Sequence, residues 1–232
     1  RHPLTVELIA RSAEVAAEAL PALWDRLQKA GFTYSEAMLE LNWRPEEHTL
    51  QQHLKALFSL ADLDQEKQRV MRVFSILPPS APIPAQIKEW LPCQVADLQV
   101  LVERGWLQRN GLTYSVHQMV QQSVRLQQKP DLKDCQGLIE AFGSPNFIPR
   151  DTAYGEASTR LSLAKALLDW FDPAPLDEDF ARCLSYTAGS YEQNLGDYPR
   201  ALELHQKALA VLEKALGPDH PSTATSYNNL AG

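Results

Sequence analysis

The stretch Tyr191-Glu-Gln-Asn-Leu-Gly-Asp-Tyr-Pro-Arg-Ala-Leu-Glu-Leu-His-Gln-Lys-Ala-Leu209, running through Gly217-Pro218-Asp219-His220-Pro221 to Asn228-Asn229-Leu230-Ala231-Gly232, decides the architecture. Gly196-Asp197-Tyr198 reads as a tight turn between two antiparallel helices. Gly217-Pro218 stops the second of them, glycine for a left-handed C-terminal position and proline because it cannot continue the helix. Ala201 and Ala208, one heptad apart, put small side chains on the face that must approach a neighbouring helix. Gly189 and Ala231 read as equivalent small sites, so the pattern recurs with a period of roughly 40 residues. This is one helical hairpin running into the start of a second. Stacked helix pairs carry no chemistry of their own; they build a concave surface for another protein or a peptide. Two incomplete pairs should lean on the helices before them.

Working back along the chain, helical patterns cover Asp177 to Leu195 and Ser158 to Phe171, while residues 131–150, with Gly137, Gly143, Pro145 and Pro149, read as a short helix and an irregular connector. Earlier comes a β signal: Trp106 to Arg109 and Leu112 to Val116 flank Asn110-Gly111, the dipeptide favoured in a type I′ hairpin turn. Before it, Val70, Val73, Phe74 and Leu77 form a helical stripe that the Pro78 to Pro82 run stops. Pro84 opens a short helix through Trp90, and Val95 to Arg104 forms another. Three helices followed by a hairpin is a winged-helix order, closed by a helix from His117 to Gln128. Residues 4–62 read as helices throughout. The expectation is a mainly α protein. It has a small helical bundle (1–62), a winged-helix domain with one β-hairpin (63–130), a helical connector (131–180) and the start of a helical-repeat solenoid (181–232). Both ends read as interior sequence, so a longer protein is expected.

Composition narrows the chemistry. A chain of 232 residues with 44% hydrophobic and 22% charged residues suits soluble domains, and no run approaches a membrane span. The formal net charge of -7 opposes a phosphate backbone. Across residues 84–129, Lys88, Arg104, Arg109, Arg125 and Lys129 face Glu89, Asp97 and Glu103, too weak an excess for a DNA-binding winged helix. Cys93, Cys135 and Cys183 are widely spaced and suit reduced thiols of an intracellular protein rather than disulfides or a zinc site. His48 and His53 are five apart and leave one helix face, unlike a helical metal pair. No nucleophile motif and no Gly-x-x-x-x-Gly-Lys-Ser/Thr phosphate cradle occurs, so neither catalysis, a metal site nor ATP hydrolysis by these residues is expected.

Leu-Gly-Asp-Tyr at 195–198, Ala-Leu, Lys-Ala-Leu and Leu-Gly-Pro-Asp-His-Pro at 216–221 occur in the order seen in the long tetratricopeptide repeats of the kinesin light-chain type, which residues 181–232 resemble. Tyr191 stands five residues before Gly196, where that pattern has its aromatic four before, so the first repeat should be irregular. The resemblance assigns a protein or peptide partner to the repeat, with Tyr191, Tyr198, His205 and Asn228 as its binding residues. Residues 1–129 resemble the region after the P-loop domain in nucleotide-switching STAND proteins of the NB-ARC class. His2 to Ala10 is similar to the Gly-Leu-Pro-Leu-Ala stretch of that class, and Val116-His117-Gln118 stands where it has Met-His-Asp. That resemblance implies ADP/ATP with Mg in the full-length protein, Pro3 near the adenine and His117 at the β-phosphate. It also implies signal transduction in the cytoplasm and homo-oligomer formation on release, while the charge and the lack of a long apolar run give neither nucleic acid nor membrane as an expected partner. A winged-helix and repeat scaffold, or a transcription regulator, without a nucleotide switch is the alternative.

Overall fold

The computed structural model describes residues 58–79, 82–84, 87–91 and 93–231. Of the expected helical unit at 1–62, only Phe58 to Asp62 falls among them, ending in a 3-10 turn at Leu60–Asp62. Pro3, His48 and His53 lie outside the described residues. What is described is mainly helical with a small three-stranded antiparallel sheet. Two compact units divide it, with the chain passing between them at Ser75/Ile76, Pro78/Pro79 and Asp134/Cys135.

In the first unit the order is α1 (Gln65–Phe74), β1 (Ile83–Pro84), α2 (Ile87–Trp90), α3 (Val95–Glu103), β2 (Gln108–Asn110), β3 (Thr113–Ser115) and α4 (Gln118–Gln127). Asp64 starts α1 by accepting the Lys67 amide at 2.9 Å, and Val70, Met71, Val73 and Phe74 then fall inward. The sheet order is β1-β3-β2. Two expectations change here. Pro84 does not open a helix: it ends a two-residue strand opposite Thr113, and the helix begins at Ile87. An edge strand tolerates proline because it leaves no ladder donor unmet. The hairpin also turns one residue later than expected. Asn110 pairs with Thr113, leaving Gly111-Leu112 as the loop, with Gly111 at φ 61°. Glycine at the first loop position is what a two-residue II′ turn requires, so Asn110 joins the strand.

Polar side chains of α4 close the contact with α1. Gln121, fully buried, donates to the Phe74 carbonyl at 2.9 Å, and Arg125 Nη1 donates to the Ser75 carbonyl at 3.0 Å. These are the orphan acceptors of a helix C-terminus. Gln127 donates to the Phe58 carbonyl at 2.6 Å and accepts from the Leu60 amide at 2.9 Å, fixing a segment whose Phe58 ring meets Trp106 edge-on at 5.1 Å. Beyond α4, Arg72 clamps Asp134 with Nε at 2.7 Å and Nη2 at 2.6 Å, and Arg69 Nη2 donates to the Lys133 carbonyl at 2.7 Å.

The second unit holds α5 (Gln136–Phe142), α6 (Tyr154–Trp170), α7 (Glu178–Ser190), α8 (Tyr198–Leu216) and α9 (Pro221–Ala231). Helix α6 begins four residues before the expected Ser158. At Gly143 a β-carbon would stand 3.0 Å from the Ile139 carbonyl and 3.4 Å from the Cys183 amide, so glycine permits α5 to end against α7. Asp177 and Asp197 accept the Phe180 and Arg200 amides and start α7 and α8. Between these helices the seam is small: Ala181 and Ala188 of α7 and Ala201 and Ala208 of α8 are all buried. Gly189 is not part of it. A methyl there would meet only Gln193, at 4.0 Å, and Ala188 is the fully buried neighbour.

Candidate functional site: a groove between two repeat helices

The irregularity before Gly196 has a structural form. After α7 the chain makes a π turn over Tyr191–Leu195, in which the Gly196 amide reaches the carbonyls of both Tyr191 and Glu192. One extra residue is absorbed there. Ala188 and Tyr191 can then both point inward, three apart, while Gly196, at φ 65°, still closes the turn. This is why Ala188 rather than Gly189 takes the buried small position.

Helices α7 and α9 face each other across an open groove of about 420 Å³ whose floor is Leu212 of α8. Helix α7 contributes Glu178, Arg182, Ser185 and Tyr186; α9 contributes Ser222, Thr225, Ser226 and Asn229. Both sets recur at three- and four-residue spacing and so share one face of each helix. Three contacts hold α9 in place. Ser222 Oγ donates to Glu178 at 2.9 Å, Thr223 Oγ1 donates to the Gly217 carbonyl at 2.8 Å, and the Tyr227 hydroxyl donates to Glu213. Arg182 is paired within its own helix to Asp179 at 2.5 Å, and Thr225 bonds the Pro221 carbonyl at 3.1 Å. Ser185, Tyr186 and Asn229 remain without a hydrogen-bond partner among the described residues, and Tyr186 is 40% exposed. Ser226 Oγ is buried and unpartnered as well.

Two other hollows are less suited to a ligand. One, of about 20 Å³, lies beside Tyr191 among Lys165, Asp169, Asp172, Arg200 and Lys207, whose charges pair with one another; it has room for about one water. The other, lined by Gln65, Glu66, Gln68, Arg69, Arg72 and Gln128, has its guanidinium groups already committed to Asp134 and to backbone carbonyls.

The four residues assigned to partner binding separate into two pairs. Tyr191 and His205 are only 8% and 7% exposed, inside the α7–α8 contact, whereas Tyr198 (65%) and Asn228 stand on the surface. None of the four lines the groove except that Tyr191 borders the small hollow. Burial pulls the His205 imidazole below its ordinary value against the opposing charge of Glu192, and its Nδ1 has no partner. The lining residues carried a readable signal, since Arg182, Tyr186, Ser222, Thr225 and Asn229 sit at helical spacing opposite the apolar stripe. Polar faces are usually read as solvated, which hid them.

His117 lies just past β3 and caps α4: its Nδ1 accepts the Met119 amide at 3.2 Å. Two of the three thiols are held in the protonated form. Burial, with Asp97 and Glu66 adding to it, pushes Cys93 up to about 11, and burial pushes Cys183 up to about 12, so both stay protonated near neutrality.

Comparison with known proteins agrees with this geometry where it speaks. A tetratricopeptide repeat family model matches residues 180–232, which take in α7 from Phe180 on, the π turn, α8 and α9. No curated protein and no solved structure matches the chain. A tetratricopeptide repeat is a protein-interaction element, and no described helix is long and apolar enough to cross a membrane.

Proposed function

We propose that the chain acts by binding another protein, with the groove between α7 and α9 as its docking surface. The observation that carries this is a hollow of about 420 Å³ between facing repeat helices, into which Ser185, Tyr186 and Asn229 bring unspent hydrogen-bonding groups. Placing a photo-crosslinking residue at Asn229, with Tyr154 on α6 as control, tests it in cells. Protein adducts from Asn229 but not from Tyr154 are expected; equal yields from both positions sink the reading.

A finer reading makes the first unit a winged helix and the whole chain the regulated part of a STAND/NB-ARC-like signalling switch. Its support is the order helix, short strand, two helices, hairpin, helix, with sheet order β1-β3-β2, and the position of His117 at the junction of hairpin and α4. The described residues do not by themselves fit a nucleotide. The sequence holds no phosphate cradle, the described residues hold no group of three His, Cys, Asp or Glu able to bind a metal ion, and His117 Nδ1 is spent on its cap. ADP/ATP and Mg would be held chiefly by residues outside 1–232, so this chain is proposed as non-catalytic and cytoplasmic, oligomerising only in the full-length protein. Reading the coding sequence upstream of Arg1 decides the matter. A Walker A lysine and an acidic Walker B strand there support the switch; their absence leaves a winged-helix and repeat scaffold.

A further inference from the structure

Resting on the groove as the docking surface, we propose that its occupant is an extended, uncharged segment of the partner, three or four residues long, with one apolar side chain directed at Leu212. Length comes first. The lining runs from Glu178 to Tyr186 on α7 and from Ser222 to Asn229 on α9. At about 1.5 Å per helical residue, each wall is roughly 10–12 Å long. An extended chain advances about 3.3 Å per residue and covers that length in three or four residues. A helix of the same length has its own peptide groups bonded to one another and brings none of them to these walls, whereas an extended segment keeps its N–H and C=O groups for them.

Charge comes next. Glu178 and Arg182 are the formal charges of the lining, one of each sign, and both are engaged: the first accepts from Ser222 at 2.9 Å and the second pairs with Asp179 at 2.5 Å. A charged partner gains at one of them only by displacing a bond already made and meets repulsion at the other. What the groove leaves unspent is neutral. Asn229 offers a donor and an acceptor on one planar group, the complement of a peptide unit, and the Ser185 and Tyr186 hydroxyls offer either role. Ser226, in the same wall, has a buried hydroxyl with no partner, a group that native structures seldom leave unmet. Leu212 and the ring of Tyr186 supply the apolar contact.

The test pans a random heptapeptide phage library on the 232-residue chain. The enriched sequences are made as fluorescein-labelled peptides and their affinities measured by anisotropy at 50 mM and 500 mM salt. Expected is a consensus of three or four consecutive uncharged positions including one apolar residue, affinity that changes less than twofold with salt, and at least fivefold weakening by Asn229→Ala and by Tyr186→Ala. Tyr154→Ala should bind normally, and circular dichroism reports whether each variant is folded. An acidic or basic consensus, a strong salt dependence, or anchors spaced three and four apart along a longer motif overturns the proposal while leaving the groove as the docking surface. No consensus, or peptides indifferent to both groove variants, overturns the docking surface itself.

Discussion

Between α1 and α4 the first unit closes its contact with polar side chains, whereas α7 and α8 close theirs with methyl groups. Gln121 and Arg125 of α4 satisfy acceptors at the end of α1, while Gln127 and the Arg72–Asp134 pair fix the segments before α1 and after α4, so that unit is fixed by direction as well as by fit. Ala181, Ala188, Ala201 and Ala208 specify only a close approach. The difference teaches where each unit is vulnerable: the first to loss of one hydrogen-bonding partner or of a charge, the second to added volume. It also bears on function. Helices held by alanines on their inner faces keep their polar faces for other work, and on α7 that face is one wall of the groove.

The largest effect is expected at Asp134. Its carboxylate and the Arg72 guanidinium are 11% and 12% exposed, so Asp134→Ala removes the paired anion from a largely buried cation. A loss of about 3 kcal/mol is expected in urea unfolding followed by circular dichroism. The double variant Arg72→Met with Asp134→Leu should recover most of it, since an apolar pair replaces a buried ionic one at little cost. Equal losses in the single and double variants would mean that the segment after α4 needs the ion pair itself. Burial raises the Asp134 pKa, but the hydrogen bonds from Arg72 and the backbone outweigh it and the net shift is downward from 3.8. Its contribution is therefore complete above 3.8 and is lost as pH falls through the lower folded value.

Next comes volume in the second unit. Ala208→Leu inserts three carbons at a site with no exposure and should cost about 1–3 kcal/mol, since close-packed contacts tolerate overpacking poorly. Ala210→Leu, on an exposed position of the same helix, is the control and should change little. If both cost the same, the seam is not close-packed and the contrast between the units fails.

Much of this contrast was legible in the sequence, and the exceptions have physical causes. Ala201 and Ala208 showed their spacing because helical periodicity repeats along the chain. Asn110-Gly111 located the hairpin but not its register, because strand pairing through Thr113 and Tyr114 decided which residue enters the loop. Pro84 reads as a helix start in the sequence because a two-residue edge strand carries no periodicity. Gly189 reads as the small site in place of Ala188, since a π turn inserts a residue without changing composition. The groove was hidden for a different reason: its neutral hydroxyls and amide look like solvated surface until a second helix stands opposite.

Gly196→Ala is a smaller perturbation of the same hairpin. The glycine sits at φ 65°, and an added β-carbon would meet nothing within 4 Å, so the whole cost is backbone strain, about 1–2 kcal/mol. Gly196→Asn should cost less, because asparagine tolerates the left-handed region. Equal costs would point to a packing role for the bare glycine that the open space around it does not suggest.

The smallest effect separates the units by pH. His205 is held neutral by burial, its pKa below the usual 6.5, so the unfolded chain takes up a proton that the folded one resists. Its contribution to the stability of the second unit is therefore complete above about 6.5 and shrinks as pH falls toward the lower folded value. The first unit, through Asp134, begins its loss only near and below 3.8. Between these two windows the second unit should weaken through His205, and His205→Leu should flatten its pH profile there. Glu192→Gln should steepen it, because the charge of Glu192 partly supports the protonated ring. If Glu192→Gln leaves the profile unchanged, the π turn does not bring that carboxylate to bear on the histidine, and the resistance to protonation is burial alone.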